Sequence, residues 1–247
     1  MPDFIAGVLS RENEITRLIK LLSDSKLDFI VVGGYAVSVH KKRFSMDLDI
    51  VVKEIDAGKF ESLLEKEGYA DGYSKGISTV YGEKFKRLEK KIGTSTQTPK
   101  ASGDMTVSVD LLINGVVSRL TNGSWSYELL LENSVKSTLQ GAEFLTPVKE
   151  LLVAMKMHSG RFSDVRDIVA LYENTDQTAI LKYAKRGDIK KLKAALRKEI
   201  KFMESPNFKD SFKGVFGFHV YREQDIQSAV KGLRMLLKKL VANDSGH

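Results

Sequence analysis

The 247 residues contain no cysteine. A disulfide framework, a thiolate zinc site and a thiol nucleophile are therefore excluded for this chain. A membrane-length apolar run is also missing. The longest uncharged stretch, Phe29 to Val39, is far too short to cross a bilayer and holds two glycines. Met1-Pro2-Asp3-Phe4-Ile5 has neither the basic leader nor the apolar core of a signal peptide. No internal repeat or low-complexity tract stands out. These absences lead us to expect a soluble, cytoplasmic protein without membrane contact. Hydrophobic content of 42% and charged content of 29% fit an ordinary globular chain. Its length suits one large domain or two modest ones. The net charge of +7 favours polyanionic partners such as nucleotides, RNA or DNA. Lysine-rich surfaces also have a plainer origin, being common in proteins from hot environments.

Ile15, Leu18, Ile19 and Leu22 recur at helical spacing, predicting a helix over 11–25 with Ser10 as its N-cap. Asp28 to Val32 reads as a short buried strand. Gly33-Gly34 reads as a turn, and Tyr35 to His40 as a short helix. Asp47 to Lys53 is the next strand and Lys59 to Glu67 the next helix, stopped by Gly68. Thr79 to Phe85 could be a strand, and Lys90 to Gly103 has the composition of a loop. Val107 to Leu112 alternates as a strand should. Gly115–Leu120, Tyr127–Leu131 and Glu143–Leu145 are further strand candidates. At Thr146-Pro147 the character changes, since threonine can cap a helix and proline suits its first turn. Helices are expected over 147–158, 164–174, 177–185, 188–204 and 222–241. The fold class is α+β: a small mixed sheet with flanking helices in residues 1–145, then a helical domain in 146–247.

The informative run is Arg43-Phe44-Ser45-Met46-Asp47-Leu48-Asp49-Ile50. A strand's side chains have a period of two, so Asp47 and Asp49 share one face while Leu48 and Ile50 take the other. Carboxylates about 6–7 Å apart along a strand can converge on two divalent cations about 3.5–4 Å apart. Glycines at a strand-to-helix turn let backbone N–H groups approach phosphate oxygens. Gly33-Gly34 alone would more often be a tight turn. Asp110 interrupts the apolar strand Val107-Ser108-Val109-Asp110-Leu111-Leu112-Ile113. It marks either the wet face of an edge strand or a third carboxylate beside the pair, able to hold a metal and accept a proton.

Gly33-Gly34, then Arg43-x-Ser45-x-Asp47-x-Asp49, then a strand bearing Asp110, resembles the DNA polymerase β-like nucleotidyltransferases. The Arg-x-Ser-x-Asp-Leu-Asp-Ile wording is most similar to the AbiEii-type branch, which includes toxins of toxin–antitoxin systems. The resemblance covers about residues 28–113. A lysine on the apolar helix Glu150 to His158, followed by Arg161, Asp164 and Asp167-Ile168, is similar to that branch too. The resemblance implies a metal-dependent enzyme that moves an NMP from an NTP to an acceptor hydroxyl. Asp47, Asp49 and Asp110 would be catalytic and would hold two Mg²⁺ ions, with Mn²⁺ a possible substitute. Gly33, Gly34, Arg43 and Ser45 would serve the nucleotide. Lys156 would contact the triphosphate, Arg161 would assist it, and Asp164 or Asp167 would organise that face of a cleft closed by the helical domain.

Each of these has a bland reading. Lys156 could be a snorkelling lysine and Asp164 a helix-start acid favoured by the dipole. The basic run Lys182 to Lys201 could be a solvated face or could hold an RNA backbone. The implied acceptor is RNA, tRNA in particular, or a protein hydroxyl, and a toxin would have an antitoxin partner. The alternatives are transfer to a small molecule of the aminoglycoside type, and a nucleotide-binding regulatory module without turnover.

Overall fold

The computed structural model describes residues 2–72, 85–92 and 105–242, with side chains from 8 to 241. The chain is mixed α/β, with one seven-stranded sheet and many helices. It divides into two compact units. The first comprises Met1–Val39, Phe44–Val116 and Ser126–Thr146. The second comprises His40–Arg43, Val117–Trp125 and Pro147–His247.

In the first unit the strands are β1 (Phe29–Val32), β2 (Asp47–Val52), β3 (Ala70–Asp71), β4 (Phe85–Ile92), β5 (Met105–Ile113), β8 (Ser134–Leu139) and β9 (Ala142–Pro147). Their order across the sheet is β3-β4-β5-β2-β1-β9-β8. β2 runs parallel to β5 and antiparallel to β1, and β4 is antiparallel to β5. β6 (Gly115–Val117) and β7 (Ser124–Ser126) form a separate two-stranded pairing. The period of two sorts the sheet cleanly. Leu48, Ile50 and Val52 of β2 and Val107, Val109 and Leu111 of β5 are fully buried. They form one core with Ile15, Leu18, Ile19 and Leu22 of α1 (Pro2–Asp24) and with Phe60 and Leu64 of α3 (Glu54–Lys66). The intervening residues Asp47, Asp49 and Asp110 belong to the opposite face.

In the second unit, α5 (Lys149–Ser159), α6 (Phe162–Leu171), α7 (Gln177–Ala184), α8 (Ile189–Met203), α9 (Pro206–Phe216) and α10 (Glu223–Ala242) pack around Leu151, Val153, Ile168, Leu196 and Leu236. On α8, Lys190, Lys191, Arg197, Lys198 and Lys201 are exposed, whereas Lys193 of the same basic run is buried.

Several elements differ from expectation. α1 begins at Pro2, so Ser10 lies inside it rather than capping it. Proline is well suited to a first turn because its missing N–H would have no partner there. α2 (Gly33–His40) takes in the two glycines, the first of which keeps the left-handed φ of a turn between β1 and the helix. α3 begins at Glu54, five residues early. Lys90 to Ile92 finish β4 instead of opening a loop; 93–103 and all but Phe85 of the 79–85 candidate lie outside the described residues. Tyr127 to Leu131 is helical, in α4 (Tyr127–Glu132), because Ser126 caps it by accepting from the Leu129 N–H and the run is rich in leucine and glutamate. Thr146 and Pro147 end β9, and Val148 is the residue before α5. α9 and β8 had no counterpart in the sequence reading. α9 carries Pro206 in its first turn and buries Phe208, Phe212 and Phe216 at a spacing of four.

Glu199 of α8 is buried, and neither carboxylate oxygen has a hydrogen-bond partner among the described residues. Burial, with the Asp164 charge adding to it, holds this carboxyl well above the usual carboxylate range. The folded chain thus keeps a proton here that the unfolded chain releases. Stability falls as pH rises above the unfolded value of about 4.3 and on through the folded one. Glu199→Gln should flatten that dependence. In urea titrations between pH 5 and 8, the variant should gain on the wild type as pH rises, by about 1–3 kcal/mol at the alkaline end. A constant difference across the range would contradict the assignment.

Candidate active site

Strand register builds the site. Asp49 of β2 pairs with Asp110 of β5, and Asp110 pairs with Arg87 of β4. Paired residues share a face, so Asp49, Asp110 and Arg87 form one row across three strands. Asp47 lies two residues from Asp49 on that face. Ligand oxygens of Asp47, Asp49 and Asp110 all come within 4.8 Å of one another.

The start of α2 is shaped to this cluster. Gly33 has φ +64°, a left-handed value that glycine adopts at little cost. A Cβ there would stand 1.8 Å from Asp49 Oδ2, inside the carboxylate itself. Both backbone conformation and close approach therefore demand glycine. Ser45 Oγ donates to Asp47 Oδ1 at 3.4 Å, at the long end for a hydrogen bond.

Arg87 supplies positive charge to the row. Its Nε and Nη2 each donate to one Asp110 oxygen at 2.7 Å, a bidentate fork, and Nη2 lies 3.6 Å from Asp47. The hydrogen bonds to Asp110 push the guanidinium pKa further up, so it stays charged. Burial pushes the Asp110 carboxyl up, and the Arg87 fork works against that push. The donor set is hard, anionic oxygen, which suits Mg²⁺ or Mn²⁺. Like charges this close are costly without cations. The three aspartates fit a divalent metal site, with Arg87 holding part of the countercharge.

A pocket of about 570 Å³ opens beside Asp47 on the same unit. Arg11, Met46, Arg87, Glu89, Thr106 and Ser108 are among its lining residues.

The remaining predicted residues gather in the second unit. Lys156 Nζ lies 2.7 Å from Asp164 Oδ1 and 2.8 Å from Asp167 Oδ2. Arg161 Nε reaches Asp164 Oδ2 at 2.7 Å, and an Arg43 Nη1 donates to Asp167 Oδ1 at 2.8 Å. The result is an alternating chain, Arg161–Asp164–Lys156–Asp167–Arg43. Burial would lower the Lys156 pKa, but Asp167 and Asp164 overturn that and raise it. Burial likewise opposes ionisation of Asp164, and Lys156 and Arg161 overcome it, pulling its pKa down. Lys156 is buried with its charge engaged, whereas the Arg161 side chain is 67% exposed. The Arg43-x-Ser45-x-Asp47 run is thus divided: Ser45 stays with the sheet, and Arg43 joins the helical unit.

Arg87 and Arg11 had no part in the sequence-based site. Arg87 falls opposite Asp110 only through the pairing of β4 with β5, which nothing in the local sequence reports. Arg11 carried no signal, because a charged residue on an amphipathic helix is ordinary.

No protein-family model matches the chain, and no curated protein does. Solved structures do. JHP933 from Helicobacter pylori aligns with TM-score 0.53 at 12% identity, covering 96% of this chain and 95% of that one. A proposed nucleotidyltransferase from H. pylori gives 0.55 at 12% identity, covering 97% and 98%. An antigenic nucleotidyltransferase-like protein from Paracoccidioides brasiliensis gives 0.51 at 14% identity, covering 90% and 92%. The chain shares the fold of structures described as nucleotidyltransferases. At these identities the likeness is one of fold, and it runs almost the full length of both chains.

Two expectations concern the metal site directly. Gly33→Ala forces Asp49 aside, so Mn²⁺ affinity measured by calorimetry should drop at least tenfold, roughly the 1.4 kcal/mol of one displaced ligand contact, while the circular dichroism spectrum is kept. Arg87→Ala removes a competitor for Asp110 and should instead tighten Mn²⁺ binding severalfold, on the order of 1 kcal/mol. Weaker binding in Arg87→Ala would show that Arg87 positions Asp110 for the metal rather than competing with it.

Proposed function

We propose that the protein is a metal-dependent nucleotidyltransferase that moves an NMP from an NTP to an acceptor hydroxyl. The convergence of Asp47, Asp49 and Asp110 within 4.8 Å on one sheet face carries this reading. The shared fold supports the reaction class.

Asp47, Asp49 and Asp110 would hold two Mg²⁺ ions. Bound there, the ions neutralise phosphate charge and favour the ionised acceptor hydroxyl. The chain's own groups do the rest. The backbone at Gly33-Gly34 opens α2 without side chains in the way, so its N–H groups can meet phosphate oxygens. Ser45 steadies Asp47. The acceptor oxygen forms a bond to the α-phosphorus, the bond to the bridging oxygen breaks, and pyrophosphate leaves. A carboxylate oxygen of Asp110 takes the hydroxyl proton.

In the helical unit, the Arg161–Asp164–Lys156–Asp167–Arg43 chain is proposed as a phosphate-contacting support. Lys156 holds the two carboxylates, and Arg161 offers the exposed charge. The net charge of +7 and the exposed lysines of α8 favour RNA, tRNA in particular, over a small cationic acceptor. Membership of the AbiEii-type branch, a toxin role with an antitoxin partner and a cytoplasmic setting belong to the same proposal and rest on the sequence motifs. No described helix is long and apolar enough to cross a membrane.

Asp47→Asn should abolish transfer, by about 10³-fold or more, with thermal unfolding unchanged. Labelled NTPs incubated with Mg²⁺ and total RNA or lysate read out the acceptor. Label in RNA supports the reading, label in protein moves the acceptor, and nucleotide binding without pyrophosphate release rejects the enzyme.

A further inference from the structure

The pocket beside Asp47 holds two arginines in different states. Arg87 is committed to Asp110 and Asp47. Arg11, from α1, is not: its Nε is buried and meets no hydrogen-bond acceptor among the described residues. A buried guanidinium N–H without a partner costs free energy that a ligand oxygen can recover. Around it lie the Thr106 hydroxyl, the Glu89 carboxylate, which accepts from Ser108 Oγ at 3.2 Å, and the apolar side chains of Met46 and Met105. Met46 is 68% exposed.

We propose that this pocket is the acceptor subsite and that Arg11 is its anion-recognising residue, binding the phosphodiester next to the reacting hydroxyl of an RNA end. The inference rests on the nucleotidyltransferase reading and deepens it. Asp47 lines the pocket and belongs to the carboxylate triad, so a hydroxyl bound here adjoins the reacting centre. A permanently charged guanidinium selects an oxyanion and repels a polyamine. Asp47 and Glu89 also line the pocket, and with Arg87 engaged by Asp110 and Asp47, Arg11 is the cation left to meet an oxyanion there. A peptide hydroxyl carries no fixed anion beside it, whereas an RNA 3′ end always does. Methionine thioethers offer a polarizable face on which a base can lie, and Thr106 can bond a sugar hydroxyl.

The test uses the full-length chain, Mn²⁺ and a mixed tRNA pool with intact 3′ hydroxyls. Fluorescence anisotropy across a KCl series gives affinity and its salt slope. Arg11→Ala should bind the pool about tenfold more weakly and lose about one unit of slope. Arg11→Lys should retain the slope while losing affinity, because the charge remains but the planar fork is gone. Steady-state transfer should show the KM for RNA raised and the KM for NTP unchanged. An Arg11→Ala enzyme whose NTP KM rises instead makes the pocket the donor site and overturns the proposal. So does unchanged RNA binding in Arg11→Ala alongside loss in Arg197→Ala on the exposed face of α8. Wild-type transfer to some acceptor with Arg11→Ala unaffected rejects the subsite alone. No Mn²⁺ binding and no transfer by the wild type rejects the enzyme reading beneath it.

Discussion

Three carboxylates within 4.8 Å of one another set the terms for the first unit. Their mutual repulsion is costly without cations, and the strands around them answer it. The parallel pairing of β2 with β5 aligns Asp49 with Asp110. The antiparallel pairing of β4 brings Arg87 into the same row. Gly33 leaves room for the Asp49 carboxylate where any side chain would collide with it. The opposite face pays the stability cost, with Leu48, Ile50, Val109 and Leu111 wholly removed from water.

The helical unit solves a related problem differently. Asp164 and Asp167 are buried, yet Lys156 bridges them and Arg161 and Arg43 close the two ends. Each carboxylate meets two cations at hydrogen-bond distance, so truncating one partner would strand a buried charge, at a cost of about 3–5 kcal/mol. Glu199 stands close enough to feel the Asp164 charge but has no such partner among the described residues, and its carboxyl is held well above the usual range. The two outcomes follow one rule: a buried carboxylate is either paired or neutral.

Much of this was legible because it is local. The alternation of Asp47-Leu48-Asp49-Ile50 states which residues face together before any partner strand is known. The apolar stripes of α1 and α8 likewise report their own buried faces. What was illegible is long-range. Nothing in Lys86-Arg87-Leu88 says that it lies beside Asp110, since strand order is a property of the whole sheet. Arg43 reads as part of the aspartate motif, yet its side chain is drawn 124 residues away to Asp167. Tyr127 to Leu131 was mistaken for a strand because a short apolar run is ambiguous by periodicity alone. The Ser126 cap decides it.

The contrast between the clusters also bears on which one does chemistry. In this network the cations already meet the carboxylates at 2.7–2.8 Å, leaving at its two ends the exposed Arg161 and the Nε of Arg43, unpartnered among the described residues. The triad differs, because one guanidinium is shared between Asp47 and Asp110, and the fork to Asp110 can be exchanged for a metal. Arg87 thus holds the carboxylate row together, contacting Asp110 through both oxygens and Asp47 at its edge. A lysine could hold the row, but only as a point charge. It could not engage both Asp110 oxygens through a planar fork, which is what makes the arginine more than a counter-ion.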